Sequence, residues 1–557
     1  MKQIIKKNLN KIISFLQKEK IFPQFKIPKI KIEYQEERNH GDYSSNIAMV
    51  LSKIFKRNPQ EIAKSIKENL ELKIKNQKLF EKIEIAKPGF INFFLSKESL
   101  QKQVLKILKE GENFGKIKIE RNKKINIEFC SANPTGPLHL GHGRVAFWGN
   151  TLANVLTRAG YKVSREYFIN DYGRQILLLG KSIDVRFKEI LGKKIKMSPE
   201  LYQGDYIKEI AKEIIQKNKK KYLKLPEEER IKIFTEFGLK KILRETKELL
   251  TKIGIKYDIW FSEKKLFQRN LIKKTIQILK KKGMIYEKEK AIWFFSTKFG
   301  DDKDRVLIKA DGEPTYFASD IAYHFDKNSR GYDLMINIFG ADHWGYKTRL
   351  MAAVKTLGFE EKLKIIIGQF VRLIKKGQEI KMSKRGGTFI TLEELINEIG
   401  LDATKFFFLN KTIDTHIDFD LDLAKETSEK NPVYYFQYGY ARIESIFKKS
   451  KLKEQEIRFK AKLRDLRYLI HSSERELIKQ LIRFPEIIEE VVYDYQVQRI
   501  PQYALGLITN FHRFYQDCQV ISKDQNLTKA RLALILATKL VIKNTAFLMD
   551  ISTPKKM

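Results

Sequence analysis

The stretch INIEFCSANPTGPLHLGHGR, residues 125–144, decides the fold of this chain. Its first residues alternate between apolar and polar side chains, which predicts a strand with one buried face. The following run holds two prolines, three glycines and two histidines, after which apolar residues recur at helical spacing as far as Gly160, a typical C-cap glycine. Residues 161–168 again have the composition of a strand. Strand, glycine-rich turn, helix and strand form a βαβ unit, the start of a parallel nucleotide-binding sheet.

Around this unit the sequence predicts a multidomain α/β plus all-α protein with a Rossmann-like domain at its centre. Sheet-like segments return as LMINIFG at 334–340 and IIIGQFVRL at 365–373. The Lys-rich region from about 184 to 299 is expected to be a helical insertion, with one helix starting at Leu225-Pro226-Glu227. Beyond Asn431 the apolar residues keep helical spacing, so we expect a C-terminal helical bundle.

The length of 557 residues exceeds what one hydrophobic core supports and predicts three or four domains at roughly 150 residues each. Residues 1–112 are expected to form a small α+β domain, in which the strands of IEIAKPGFINFFL are broken at Pro88-Gly89. The Rossmann-like domain is expected at about 120–385, a connective segment at about 386–430 and the helical domain at about 431–557.

The charge of the chain is strongly basic, with 108 Lys and Arg against 68 Asp and Glu, a net of +40. This excess favours a polyanionic partner such as nucleic acid, and it is equally what the codons of an AT-rich genome would give. Two cysteines, Cys130 and Cys518, provide no disulfide framework and fit a reducing cytoplasm. The N-terminus has the spacing of an amphipathic helix, and no apolar run approaches the ~20 residues of a bilayer span. We therefore expect a cytoplasmic protein without membrane attachment.

The loop SANPTGPLHLGHG has the composition of an anion-binding site. Its glycines let a phosphate approach the backbone, and the helix that follows offers unpaired N–H groups and a positive dipole end. His139 and His142 can donate hydrogen bonds to phosphate oxygens without adding a permanent charge. The pattern is neither G-x-G-x-x-G nor a Walker motif, which disfavours dehydrogenases and P-loop NTPases. Two other interpretations stay open: a zinc site that uses Cys130 with both histidines, and an ordinary tight turn.

A second candidate phosphate site is GQEIKMSKRGG, residues 377–387. In so lysine-rich a chain, K-x-x-K is usually a solvated face. Here it follows a sheet-like segment and has glycines on both sides, which would leave the loop free to close, and two lysines suit a polyphosphate. H-x-G-H after the first strand and K-M-S-K after the last together resemble the paired signatures of class I aminoacyl-tRNA synthetases.

Longer stretches resemble one family of this class, the bacterial arginyl-tRNA synthetases. The catalytic segments that carry the resemblance are INIEFCSANPTGPLHLGHGR, SREYFINDYGRQ, TYFASDIAYHFDK, INIFGADHWGY, KMSKRGGTFITL and DTHIDFDLDLA. Both ends also resemble the family, through NHGDY and PGFINF in its N-terminal domain and NPVYYFQYGYARI and LVIKNTAFLMDISTPKKM in its helical anticodon-binding domain. The sequence departs from the family at Cys130 and at Gly387-Thr388, neither of which is expected to take part in the chemistry. Some relatives have glutamine near His343, so its role is left open.

The resemblance implies a two-step reaction, in which ATP activates L-arginine and the arginyl group then passes to the 3′ end of tRNA(Arg). ATP is then a substrate, Mg²⁺ its counter-ion, and the enzyme is expected to be a monomer without a protein-bound metal. The implied catalytic residues are His139, His142, Lys381 and Lys384. The implied ATP-binding set adds Pro134, Gly136, Gly141, Met382 and Ser383. The implied arginine-binding residues are Tyr316 and Asp320, with Glu263 as a further candidate, for the guanidinium, and Glu128, Ser131 and Asn133 for the other end.

The aromatic residues that begin the C-terminal helices could stack on anticodon bases, although at least half are expected in the core. They are Tyr434, Tyr435, Phe436, Tyr438 and Tyr440. Three rival functions stay open: another class I synthetase, a small nucleotidyltransferase and a synthetase-like RNA-binding protein without catalysis. Cysteinyl types would need zinc-binding cysteines, a nucleotidyltransferase would not need the helical domain, and a non-catalytic protein would not need both signatures.

Overall fold

The computed structural model describes residues 1–74, 78–119, 122–380 and 390–557. Its first domain has a four-stranded antiparallel sheet of order β1-β2-β4-β3 against which three helices pack, and a fourth helix, α4, that packs on the C-terminal helices. The helices are α1 (Lys2–Lys18), α2 (Ile47–Phe55), α3 (Pro59–Ile74) and α4 (Lys97–Glu110), and the strands are β1 (Ile32–Tyr34), β2 (Tyr43–Ser45), β3 (Phe80–Ala86) and β4 (Phe90–Leu95). The predicted strand break at Pro88-Gly89 is confirmed, because β3 and β4 form a hairpin around it.

The middle of the chain is built on a five-stranded parallel sheet of order β12-β11-β5-β6-β7. The strands in this part of the chain are β5 (Lys124–Glu128), β6 (Lys162–Ile169), β7 (Ile259–Ser262), β8 (Ile285–Lys288), β9 (Ala291–Phe294), β10 (Arg305–Ile308), β11 (Leu334–Gly340) and β12 (Leu363–Gly368). The predicted βαβ unit is confirmed, with α5 (Leu140–Arg158) between β5 and β6. However, both sides of β5 are buried, because helices cover both faces of a parallel sheet. The polar Asn126 and Glu128 are therefore buried within the domain.

The Lys-rich region expected to be a helical insertion is mostly helical but also contains three short strands. The helices around it are α6 (Arg174–Ile190), α7 (Asp205–Asn218), α8 (Glu227–Lys252), α9 (Lys264–Gln268), α10 (Leu271–Lys281), α11 (Tyr316–Ser329) and α12 (Tyr346–Leu357). Helix α8 starts as predicted, with Pro226 as its N-cap. The helical prediction is wrong at β7, which joins the main sheet, and at β8 and β9, which form an antiparallel sheet with β10, whereas α9 and α10 between them are helical as predicted. Four-residue strands are too short for their periodicity to stand out among surrounding lysines.

The strand prediction at 365–373 covers two strands, because the chain breaks between β12 and β13 (Val371–Lys375). Strand β13 pairs with β14 (Gln378–Ile380) and with β15 (Ile417–Asp420). The accompanying helices are α13 (Leu392–Ile399), α14 (Leu401–Leu409) and α15 (Leu421–Lys425). The described chain of this small sheet ends at Ile380, directly before the K-M-S-K residues in sequence.

Every described element beyond Asn431 is helical, as predicted. These helices are α16 (Pro432–Ser450), α17 (Glu454–Lys460), α18 (Leu463–Leu466), α19 (Ser472–Ile482), α20 (Phe484–Asp494), α21 (Arg499–Asp517) and α22 (Gln525–Met549). By length and hydropathy α22 alone, among the described helices, could cross a membrane, and 89% of its most apolar window is buried. It is the central helix of this domain and also packs on α4 and α5, so one hydrophobic core continues through all three domains.

Candidate active site

The two histidines of the predicted phosphate loop lie together at the N-terminus of α5. His139 is the N-cap residue, and its Nδ1 accepts a hydrogen bond from the Gly141 N–H at 3.1 Å. The Nδ1 of His142 accepts from the His139 N–H at 3.2 Å, and the two rings stack with centroids 3.6 Å apart. An imidazole that accepts at Nδ1 carries its proton on Nε2 when it is neutral. Each ring is thus set to donate from Nε2 beside the positive end of a helix, which is the geometry of a phosphate site.

The loop before the histidines is held by tyrosines from two other elements. Tyr206, on α7, donates from its hydroxyl to the Thr135 carbonyl at 2.6 Å. A Cβ at Gly136 would lie 3.0 Å from the same hydroxyl, so a larger residue here would require Tyr206 to shift. Tyr167, on β6, bonds both the N–H and the carbonyl of Ala132, at 3.0 and 3.1 Å. The helical insertion and the central sheet together fix the backbone of the predicted ATP-binding loop.

The K-M-S-K residues, Lys381, Met382, Ser383 and Lys384, lie outside the described part of the chain. The segment that follows them returns directly to the histidine loop. Thr391 forms a β-bridge with His139, and the Leu392 N–H donates to the Leu138 carbonyl at 2.8 Å. The Leu392 side chain also packs on Gly143, where an added Cβ would lie 2.5 Å from Leu392 Cδ1. The downstream end of this segment is therefore attached to the loop that carries His139.

Tyr316 and Asp320 lie one turn apart on α11, as the resemblance and their spacing predict. Asp320 is buried, with 7% of its surface exposed, and accepts a hydrogen bond from the Tyr346 hydroxyl. Burial raises the pKa of Asp320 well above its usual range, and the charges of Glu128 and Glu263 raise it further. Tyr316 is half exposed, and the charge of Asp320 is the main reason why its pKa is also raised. The alternative interpretation of Tyr316 and Asp320 as a solvent-facing pair does not hold for Asp320, because its side chain is buried.

Glu263, the least certain of the predicted arginine ligands, is a buried carboxylate that follows β7. Its Oε2 has no hydrogen-bond partner among the described residues, and burial raises its pKa to about 7, with a smaller contribution from the charge of Asp171. An unpaired buried carboxylate oxygen costs free energy that a cation with several N–H donors would recover. The charges of Glu128 and Glu263 both raise the pKa of Asp320 and that of Tyr316, as expected of one acidic pocket.

The residues predicted for the other end of arginine stand at the C-terminal end of β5. Ser131 donates from Oγ to Glu128 Oε1 at 3.1 Å and accepts from the Phe168 N–H at 3.1 Å. Asn133 is exposed and accepts from Asn170 Nδ2 at 3.0 Å. In open parallel sheets, ligands bind beyond the carboxyl ends of the strands, where these three residues lie.

Sequence reasoning missed a layer of buried charge beneath this pocket. Lys327 has 0% exposure and donates to Glu128 Oε2 at 2.7 Å. Glu166 also has 0% exposure and is bound by both terminal nitrogens of Arg330, each at 2.9 Å. The available signal was polar residues within otherwise apolar elements, such as Asn337 in LMINIFG. Which of them meet depends on strand order, which the sequence alone did not provide.

Three family descriptions match the chain. They are "Arginyl tRNA synthetase N terminal domain" at residues 1–95, "tRNA synthetases class I (R), catalytic domain" at 103–415 and "DALR anticodon binding domain" at 436–557. The chain belongs to the arginyl-tRNA synthetase family. The curated arginine–tRNA ligase of Carboxydothermus hydrogenoformans is 43% identical over 95% of this chain and 94% of that protein. That of Bacillus subtilis is 42% identical over 100% and 99%. The arginyl-tRNA synthetase structure from Thermus thermophilus, at 19% identity, shares the fold with a TM-score of 0.78 over 100% of both chains.

Membership of this synthetase family identifies the chain as an enzyme and decides between the alternative functions of the two signatures. The zinc interpretation would need Cys130 and both histidines as one ligand set. Among the described residues, no group of three His, Cys, Asp or Glu side chains is arranged to hold a metal ion.

His343 packs its ring against Phe339 and Tyr346, with centroids 5.1 and 5.8 Å away. His343 therefore packs against Tyr346, the residue whose hydroxyl donates to Asp320.

Of the five aromatic residues at the start of the family's anticodon-binding domain, two are buried, and a third, Tyr435, is partly buried and packs against the core. Phe436 and Tyr440 are buried, with exposures of 0% and 3%. Tyr434 and Tyr438 are partly exposed and stack on one another, with centroids 6.1 Å apart and planes 8° apart. The Arg442 guanidinium lies 4.6 Å from the Tyr438 ring, so this pair combines a π surface with positive charge.

Proposed function

We propose that this member of the arginyl-tRNA synthetase family joins L-arginine to ATP between its acidic pocket and its histidine pair, and then transfers the arginyl group to tRNA(Arg). The observation that carries the proposal is Glu263 Oε2, a buried carboxylate oxygen without a partner among the described residues, in a pocket shared with Asp320. Such a pocket suits a planar cation with several N–H donors, and guanidinium has that form. The sheet edge that carries Glu128 places this pocket beside the phosphate loop.

In the first step, a carboxylate oxygen of arginine attacks the α-phosphorus of ATP, and the bond to the bridging oxygen of pyrophosphate breaks. His139 and His142 donate from Nε2 to phosphate oxygens and stabilise the charge that develops there. Lys381 and Lys384 stabilise the departing pyrophosphate, and Ser383 assists by hydrogen bonding. The loop residues Pro134, Gly136 and Gly141, together with Met382, line the nucleotide. Mg²⁺ enters with ATP as part of this substrate and needs no protein cage.

Arginine is recognised at both ends. Asp320 and Glu263 accept hydrogen bonds from the guanidinium, and the Tyr316 ring covers it from the solvent side. Glu128 accepts from the α-ammonium, while Ser131 and Asn133 orient the carboxylate towards ATP. A neutral amino acid of similar size would leave Glu263 Oε2 buried and unpaired, which gives the pocket its selectivity.

In the second step, a ribose hydroxyl at the 3′ end of tRNA(Arg) attacks the arginyl carbonyl carbon and AMP leaves. The partly exposed Tyr434, Tyr438 and Arg442 supply a surface on which unstacked anticodon bases can lie. The basic excess of +40 attracts the tRNA backbone over a longer range. We further propose that the enzyme works as a monomer in the cytoplasm.

The proposal is tested by charging a tRNA mixture with each amino acid in turn. Arginine alone is expected to be attached to tRNA, in an ATP-dependent reaction that releases pyrophosphate and AMP. Charging by any other amino acid at a comparable rate would overturn the proposed substrate, and binding of tRNA without charging would point to the non-catalytic alternative.

A further inference from the structure

Lys327 is a fully buried lysine directly beneath the proposed arginine pocket. Its ammonium donates to Glu128 Oε2 at 2.7 Å and to Asn337 Oδ1 at 3.0 Å, and it lies 4.7 Å from the centroid of the Tyr323 ring. A lysine is seldom buried completely, because removing the ammonium from water is costly unless it is paired. Here a carboxylate, an amide oxygen and a π face together replace the water.

From Lys327 a chain of hydrogen bonds leads back to Asp320. Because the ammonium only donates, Asn337 must present its oxygen to Lys327 and its NH₂ group to His324 Nε2, 2.7 Å away. His324 Nε2 then accepts, so Nδ1 carries the proton and donates to the Asp320 carbonyl oxygen at 2.7 Å. Burial lowers the pKa of His324 to about 3, in agreement with a neutral ring. Because Lys327 can only donate, the donor and the acceptor of each hydrogen bond from Lys327 to Asp320 are fixed.

The positive charge of Lys327 also offsets negative charge in the acidic pocket. Three buried carboxylates, Glu128, Asp320 and Glu263, face the position proposed for arginine. The neighbouring Glu166 is already neutralised by Arg330 through two hydrogen bonds of 2.9 Å. Lys327 offsets the charge of Glu128, the carboxylate that it contacts at 2.7 Å, and leaves Asp320 and Glu263 as the acceptors for the guanidinium.

We propose that Lys327 is a positioning residue for arginine recognition, which acts through Glu128 and, by way of Asn337 and His324, through the helix turn that carries Asp320. This inference rests on the proposed function, because it assumes that arginine occupies the acidic pocket. Lys327 holds Glu128 by its Oε2, while Ser131 holds Oε1 at 3.1 Å, so the carboxylate stands in one orientation. Among the described residues the Lys327 ammonium contacts Glu128, Asn337 and the Tyr323 ring, so we expect a larger effect on arginine binding than on ATP binding.

The test is the Lys327→Met variant of the full chain, which keeps the length of the side chain and removes its charge. The Michaelis constants for arginine and ATP are measured separately by aminoacylation. The arginine KM is expected to rise about tenfold to a hundredfold, the effect of one misplaced charge-assisted hydrogen bond, while the ATP KM changes less than twofold. Lys327→Arg, which restores a cation, is expected to recover most of the arginine affinity.

A double-mutant cycle with Glu128→Gln separates positioning from loose packing. If Lys327 acts through Glu128, Lys327→Met adds less than threefold to the arginine KM of the Glu128→Gln variant. Additive effects, equal rises in both Michaelis constants, or an unchanged arginine KM in Lys327→Met would each overturn the inference.

Should Lys327→Met fail to fold, Asn337→Asp decides, since a second carboxylate beside Lys327 competes with Glu128 and is expected to raise the arginine KM alone. An arginine KM within twofold of the parent in Asn337→Asp would overturn the inference. Measurements on the parent enzyme distinguish a failure of the proposed function from a failure of the positioning role. If it does not charge tRNA with arginine, the proposed function fails. If it does and Lys327→Met keeps its arginine KM, only the positioning role fails.

Discussion

Replacement of Glu263 by glutamine is expected to make the substrate-free protein more stable and its arginine binding weaker. Burial raises the pKa of Glu263 from 4.5 to about 7, which corresponds to about 3 kcal/mol against ionisation in the folded protein at about 1.4 kcal/mol per pH unit. Glutamine has the same shape and cannot ionise. The parent thus has a lower free energy of unfolding because Glu263 is buried, and the same free energy is available for binding a cation.

The pH dependence follows from the direction of this shift. Between pH 4.5 and about 7 the folded protein binds more protons at Glu263 than the unfolded chain, so the free energy of unfolding falls as the pH rises through this range. Glu263→Gln has no ionisable group at this position, so its free energy of unfolding does not fall for this reason. The variant should therefore exceed the parent by up to about 3 kcal/mol at pH 8, and the two should converge near pH 4.5.

Arginine binding should respond in the opposite sense. Only the ionised carboxylate attracts the guanidinium, so the arginine KM of the parent is expected to rise roughly tenfold between pH 8 and pH 6. In Glu263→Gln the arginine KM at pH 8 should rise about thirtyfold or more, since an unpaired charge partner costs about 2–5 kcal/mol. The raised pKa of Asp320 adds to the pH dependence of the parent, and the variant isolates the share of Glu263.

Urea unfolding at pH 5 and pH 8, and aminoacylation at pH 6 and pH 8, measure the two effects. Glu361→Gln is the matched control, because Glu361 is exposed. Equal stability of parent and Glu263→Gln at pH 8, together with an unchanged arginine KM, would refute the account of this pocket.

Further predictions concern the nucleotide side and the partner. His142→Ala and Lys384→Ala should each lower kcat about a hundredfold, or ~3 kcal/mol, with an arginine KM near that of the parent; activity within twofold would remove that residue from the mechanism. Tyr206→Phe, which removes the 2.6 Å bond to Thr135, should raise the ATP KM about fivefold and leave the arginine KM unchanged in steady-state charging; equal effects on both would contradict its role in the loop. Arginine-dependent ATP–pyrophosphate exchange should require tRNA, as the resemblance to arginyl-tRNA synthetases implies, and rapid exchange without tRNA would disprove this coupling of tRNA binding to activation.

The sequence predicted the central βαβ unit, the helical C-terminal region and the histidine loop because each has a local signal. A 3.6-residue period between β5 and β6, or two histidines three residues apart, is visible in one short window. The short strands β7 to β9 had no such signal and were mistaken for helix. The pairing of Lys327 with Glu128 spans 199 residues of chain and depends on β11 lying beside β5 in the sheet. Buried ion pairs of this kind follow from strand order, which resemblance to a family supplies and periodicity does not.

The same long-range packing gives tRNA binding a physical path to the chemistry. Helix α5 begins at the histidine pair, and Asn154, further along it, donates to the carbonyl of Leu548 near the end of α22 at 3.1 Å. Beyond α22, Asp550 accepts from the ammonium of Lys405 on α14 through its carbonyl at 2.7 Å. The buried Arg144, one residue past Gly143 on α5, ties the carbonyls of Gln369 and Thr412 at 2.8 and 2.6 Å, on either side of the segment that contains K-M-S-K. A shift of α22 when tRNA binds would move α5 and the attachments of this segment together, because a close-packed core transmits displacement rather than absorbing it.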